Sequence, residues 1–152
     1  MRKEEKMKKN TKAQSETFLE KALKKLKEND YKQTKSRIDI LTVLSEHDDA
    51  LSPYQIQDIL KEKGKSYSAI TIYRVLETFM DIDIIHKVHS INSYMKCAHE
   101  HDHAHTLLVC KSCNNVTALE REEKNTKIMK GFKVEQIVDE VVGLCDTCNE
   151  GN

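Results

Sequence analysis

The chain has 152 residues, 33% of them charged and 5% aromatic, with no tryptophan and a formal net charge of zero. That length holds one ordinary domain or two small ones, and small units so poor in aromatic core call for a metal staple or a dimer partner. No apolar run approaches the roughly 18 residues of a membrane span, and residues 1–12 are too charged for a signal peptide, so no membrane partner is expected. The location expected is cytoplasmic, where the five cysteines stay reduced and serve as metal ligands rather than disulfides.

The zero net charge hides a lean. Basic side chains outnumber acidic ones before the Ser90 turn and fall short of them after it, which suits an N-terminal part that meets a polyanion. Residues 1–14 are Lys-rich and polar and read as a disordered basic tail. From Ser15 the pattern turns helical, with Leu19, Ala22, Leu23 and Leu26 on one face and Asn29-Asp30 ending the run. Thr34 can cap a second helix carrying Ile38, Leu41 and Leu44, and His47-Asp48-Asp49 reads as a turn. Ser52-Pro53-Tyr54-Gln55 is a helix start with a capping box and a proline at the first helical position. Ile56, Ile59 and Leu60 form its stripe, and Gly64 stops it. Ser68 opens the next helix, which turns Ile72, Val75, Leu76 and Phe79 inward and leaves Thr71 and Arg74 on the opposite side, flanked by Tyr73. An apolar stretch over Ile82–Val88, a turn at Ser90-Ile91-Asn92 and a short strand over Ser93–Met95 follow.

Helices followed by two short strands make a winged helix-turn-helix. Residues 15–91 are therefore read as a DNA-binding domain. Thr71, Tyr73 and Arg74 face the major groove, while Lys32, Arg37, Lys65 and the helix start at Ser68 supply phosphate contacts. One short helix reads few bases, so a two-fold homodimer on a palindromic operator in double-stranded DNA is expected.

Residues 92–152 read differently. Thr106–Val109 and Asn115–Leu119 look like strands, Glu120–Met129 is helical in pattern, and Phe132–Leu144 favours a strand punctuated by Gly131 and Gly143. The fold class is α+β: a winged helix-turn-helix followed by a small α/β unit. Two Cys-x-x-Cys pairs, Cys110/Cys113 and Cys145/Cys148, have 31 residues between them. Two-residue spacing lets both thiolates of a pair reach one ion at about 2.3 Å, and two pairs complete a closed, four-sulfur zinc site that is structural rather than catalytic.

Cys97 has no such partner. It opens a tract containing His99, His101, His103 and His105, with His86 and Asp83 upstream. One thiolate with imidazole ligands favours zinc, in a weaker and exchangeable site suited to sensing. The outer histidines, His99 and His101, either join such a site or belong to a flexible loop that binds metal loosely. A distant alternative is a zinc-dependent hydrolase using Cys97 and the histidines, but such an enzyme needs a carboxylate base and an open water position, and no oxyanion-stabilising motif accompanies the tract.

These residues resemble a known family. Tyr67–Leu76 looks like the recognition-helix signature of the ferric uptake regulator family, and His86–Cys97 is similar to the wing and hinge of its zinc-responsive branch. The histidine stretch, both Cys pairs and Gly143-Leu144-Cys145 follow in the family's order, over Ser15 to Cys148. The resemblance implies a metal-dependent repressor, not an enzyme, whose residues 92–152 dimerise. It implies structural zinc at Cys110, Cys113, Cys145 and Cys148, and a regulatory metal at Asp83 or His86 with Cys97, His103 and His105. Departures are informative. Ala50 stands where iron- and peroxide-sensing members carry a histidine, which with Cys97 argues for zinc over iron; the alternative within the family is an iron-, manganese- or peroxide-responsive regulator. Asn114 replaces a glycine, and Ala118 falls where some relatives place a Glu ligand, leaving Glu120 as the nearest carboxylate.

Overall fold

A computed structural model of the protein describes residues 18–97, 105–120, 130–133 and 139–150. The expected basic tail, the 121–129 stretch of the expected helix, and His99, His101 and His103 lie outside the described residues. The chain divides into two compact units, Met1–Ala98 and His99–Asn152.

Unit 1 begins with helix α1 over residues 18–28, then α2 (Lys35–Glu46), α3 (Pro53–Glu62) and α4 (Ala69–Asp81). Each later helix starts on a hydroxyl cap. The Thr34 side chain accepts from the Arg37 amide, Ser52 from Gln55 and Ser68 from Thr71. At Ser52 the box closes fully, because the Gln55 side chain accepts in return from the Ser52 amide at 2.8 Å. Such caps satisfy amide donors that a helix start leaves open, worth about 1 kcal/mol each. The end of α3 is a Schellman turn. Gly64 sits at φ +74°, with Gly64 N–H bonded to Lys61 O and Lys65 N–H to Leu60 O.

The core of this unit gathers Ala22 and Leu26 from α1, Ile40, Leu41, Val43 and Leu44 from α2, Ile56 and Leu60 from α3, and Ile72, Val75, Leu76 and Phe79 from α4. The expected stripe of α2 is shifted. Ile38 is partly exposed while Ile40 and Val43 are fully buried, because α2 is covered by neighbours on more than one side and no single apolar stripe describes it.

Strands β1 (Ile85–Val88) and β2 (Ser93–Lys96) pair antiparallel, with His86 opposite Met95. A short 3₁₀ turn over His89–Ile91 and Asn92 in the left-handed region join them. Leu51 adds a third, one-residue strand through paired bonds with Tyr94 at 2.8 Å each. The apolar stretch expected from Ile82 begins as strand only at Ile85, since Ile82 closes α4 and Asp83 turns at φ +55°. The unit boundary differs from the expected division at 91/92. That division cuts the wing, whereas β2 is hydrogen-bonded to β1 and belongs to the same body.

Unit 2 is a three-stranded sheet in the order β4-β3-β5. β3 (His105–Cys110) pairs antiparallel with β4 (Val116–Glu120) and parallel with β5 (Glu140–Gly143). Helix α5 (Asp146–Glu150) follows directly. Within the expected strand Phe132–Leu144, residues 134–138 lie outside the described residues, and Glu140–Gly143 is the part that pairs.

Candidate functional site

Two thiol knuckles meet in unit 2. Cys110 ends β3, Cys113 lies in the turn toward β4, Cys145 follows β5 and Cys148 sits in α5. Their four sulfurs all lie within 4.8 Å of one another. Cys113 Sγ is 3.7 Å from Cys145 Sγ. A tetrahedron of thiolates at zinc–sulfur bond length has an edge of about 3.8 Å, so the donor set fits a zinc ion. The Cys145 amide donates to Cys110 Sγ at 3.3 Å. Backbone donors from Cys113 and Cys145 draw the Cys110 thiol down to about 6. Cys148 is instead pushed up to about 12: the Ser112 hydroxyl works to lower it, but the sulfurs of Cys145 and Cys113 outweigh that. One thiolate forms readily here and further ones repel it, a balance that a bound cation reverses.

A second pair of donors lies at the base of the wing in unit 1. His86 on β1 places Nε2 2.9 Å from Cys97 Sγ, just past β2. The β1–β2 register and the bond from the Cys97 amide to Ile84 O hold them there. Burial keeps the imidazole below its ordinary value, opposed by the carboxylate of Asp83 and aided by Lys25. A neutral ring at neutral pH is the ligating form. An ion between the two atoms would set them about 3.5 Å apart at ordinary zinc bond lengths, so the pair opens slightly to admit one. Asp83 is exposed, and Lys25 Nζ donates to its carbonyl at 2.9 Å. His103 lies outside the described residues. Of His105 and Glu120 the backbone is described, and it places them directly opposite in the β3–β4 register. Ala118 pairs with Leu107 in the same ladder.

The expected reading face lies along α4. Arg74 is exposed and forms no ion pair among the described residues, while Thr71 and Tyr73 are partly covered. Thr71 Oγ1 lies 2.9 Å from Ser68 Oγ, so both hydroxyls hold the helix start. Arg37 donates to Lys32 O at 2.7 Å and stacks 5.3 Å from the Tyr31 ring centre, which fixes the turn between α1 and α2. Lys32 itself is exposed. Lys65 holds a position not expected of a free surface cation, with Nζ 2.5 Å from Oδ1 of the buried Asp39. Tyr67 OH donates to the other carboxylate oxygen at 2.6 Å, and Gln57 Nε2 donates to Tyr67 O at 2.9 Å. Sequence reasoning missed Asp39 and Tyr67. The available signal was a lone aspartate between Ile38 and Ile40 in an apolar helix.

A capped helix-turn-helix with a wing, followed in the chain by four clustered thiols, is the architecture of a metal-binding transcription regulator. Comparison with known proteins narrows the class. The profile of the Ferric uptake regulator family matches residues 28–141. The zinc uptake regulation protein of Escherichia coli K12 is 31% identical over 148 residues, covering 91% of this chain and 85% of the relative. The ferric uptake regulation protein of Staphylococcus aureus is 29% identical over 135 residues, covering 85% and 96%. A solved structure of a zinc uptake regulator complexed with zinc and DNA superposes with a TM-score of 0.77 at 30% identity, covering 90% of this chain and 96% of that one. The chain belongs to the ferric uptake regulator family. Its members regulate transcription, so the hydrolase alternative is set aside. No helix among the described residues is long and apolar enough to cross a membrane.

Proposed function

We propose that this chain is a zinc-dependent, DNA-binding transcriptional repressor of the zinc uptake regulator type, acting as a cytoplasmic homodimer on a palindromic operator. Cys110, Cys113, Cys145 and Cys148 hold a structural zinc, which clamps unit 2. The regulatory ion takes Asp83 or His86 as its first ligand, then Cys97, His103 and His105, with Glu120 as a weaker carboxylate candidate. The observation that carries this reading is the 2.9 Å approach of His86 Nε2 to Cys97 Sγ at the foot of the wing. A thiolate–imidazole pair selects zinc over the harder ions that carboxylate-rich sites prefer. Support also comes from the zinc- and DNA-bound relative at 30% identity.

His86 and Cys97 would hold the ion, which would supply charge neutralisation there. The chain's own residues do the rest. Ser68 starts α4, Arg74 and Thr71 face outward to base edges, and Lys32 and Arg37 line the α1–α2 turn for phosphate. An ion held there would favour one geometry of the two reading units of a dimer over others. The second reading is an iron-, manganese- or peroxide-responsive regulator of the same family, and the ferric relative supports its iron-responsive form.

The test is a gel shift with purified protein, first stripped with a chelator and then titrated separately with zinc, iron and manganese. Zinc restores binding at the lowest free concentration. Cys97→Ser loses zinc-dependent binding while remaining a folded dimer by sedimentation and circular dichroism. A Cys97→Ser protein that responds to zinc like the parent removes this sensor assignment.

A further inference from the structure

Ile70 is the most exposed large apolar side chain among the described residues, at 66%. It occupies the first turn of α4, on the side away from Ile72, Val75, Leu76 and Phe79, which are buried. A single exposed apolar residue is ordinary on a protein surface, but its position here is not. A β-branched side chain is a poor choice for a solvent-facing helix position, where neither propensity nor burial favours it. Arg74 stands one turn further along, so the two share a face. That face also carries Thr71, whose hydroxyl is bonded to the Ser68 cap. The N-terminal turns of a recognition helix are the part that reaches base edges.

We infer that Ile70 reads the 5-methyl group of a thymine in the major groove, an inference that rests on the DNA-binding function proposed above. The chemistry selects one occupant. Of the four base edges in the major groove, thymine alone presents an apolar group; the others offer only donors and acceptors. A guanidinium such as that of Arg74 suits the paired acceptors of guanine, so the face combines one polar and one apolar reader. Ile70 thereby specifies thymine against cytosine at one position of each half-site.

The experiment uses the zinc-loaded full chain and an operator selected from random duplexes. Each thymine of both half-sites is replaced in turn, symmetrically, by deoxyuridine, which removes only the methyl group. Affinity is read by fluorescence anisotropy. One symmetric position weakens binding about three- to fourfold per half-site, or about tenfold over the pair, and the remaining positions change little. Ile70→Ala, whose side chain faces solvent, binds the thymine operator with a similar loss and no longer distinguishes thymine from uracil there. Retention of the full methyl preference in Ile70→Ala assigns the contact to another side chain and overturns the inference. So does equal binding of uracil at every position. If the loaded protein enriches no duplex at all, the repressor reading itself falls and this inference with it; selective binding without methyl preference removes only the role of Ile70.

Discussion

Tyr67 donates its hydroxyl to Asp39 at 2.6 Å across 28 residues of sequence, while Lys65 holds the second oxygen of the same carboxylate. The contact ties the middle of α2 to the residue just before the cap of α4. It fixes where the reading helix begins, without touching anything it would read.

Tyr67→Phe removes that donor and leaves a buried carboxylate oxygen without its partner. Unit 1 should lose roughly 1–3 kcal/mol, the cost of leaving a buried acceptor unmade. Urea denaturation followed by circular dichroism measures it. DNA affinity should fall as well, because the start of α4 is less firmly placed. An unchanged midpoint would show that water replaces the hydroxyl at no cost.

The same triad gives stability an acid limb and an alkaline limb. Burial disfavours the Asp39 carboxylate, but the bonds from Lys65 and Tyr67 and the positive charges of Lys65 and Lys35 outweigh it, so its value lies below the usual 3.8. Its contribution is therefore complete above the ordinary aspartate value and is lost as pH falls through the lowered one. Tyr67 is raised to about 12, first by its bond to Asp39 and then by burial. Its contribution is complete below about 10 and is lost as pH rises toward 12. The difference in urea midpoint between the parent and Tyr67→Phe should be widest near neutrality and close between pH 10 and 12.

Of the two residues proposed as first regulatory ligand, His86 and Asp83, the histidine is the one that lies 2.9 Å from Cys97 Sγ. His86→Ala should weaken zinc binding at the exchangeable site by about tenfold or more, the scale seen when metal-site partners are removed. Asp83→Asn keeps a residue tolerant of the left-handed region at φ +55°, so the turn survives, and zinc affinity should change by less than about threefold. Competition with a chromogenic chelator reads both. A larger loss in Asp83→Asn than in His86→Ala reverses the assignment.

Stripping the four-thiol site should affect the two units unequally. Cys113→Ser removes one donor from the cluster, and hydrogen exchange of β3, β4 and β5 should rise sharply. The β1–β2 hairpin and the four helices of unit 1 should keep their protection, because their core contains none of these thiols. Uniform loss of protection in both units would mean that they fold as one.

Much of unit 1 was legible in the sequence because its signals are local. Ser52 with Gln55, Ser68 and Gly64 each announce a helix end by chemistry confined to a few residues. The stripe on α4 was equally plain, since one side of that helix is buried and the other is open. α2 was less so, because burial on several sides erases the period that would place Ile38. The role of Lys65 was not legible at all, as a lysine on a loop looks like a phosphate contact until Asp39 is found beneath it. In unit 2 the spacing of the cysteines foretold the cluster. The pairing of β5 parallel to β3 was out of reach, since it depends on contacts between residues more than thirty apart. The short α5 gave no periodic signal.

That parallel pairing has a consequence for assembly. β3 and β4 are joined by a five-residue turn, Lys111–Asn115, and can zip together on their own. Two parallel neighbours admit no such turn, so β5 must be captured from a long excursion of chain whose closure is entropically unfavourable. The thiols sit where the missing turn would be, one pair at the end of β3 and the other just beyond β5. An ion held by both pairs would act as a splice between distant stretches of backbone, fastening the end of β3 to the chain just beyond β5.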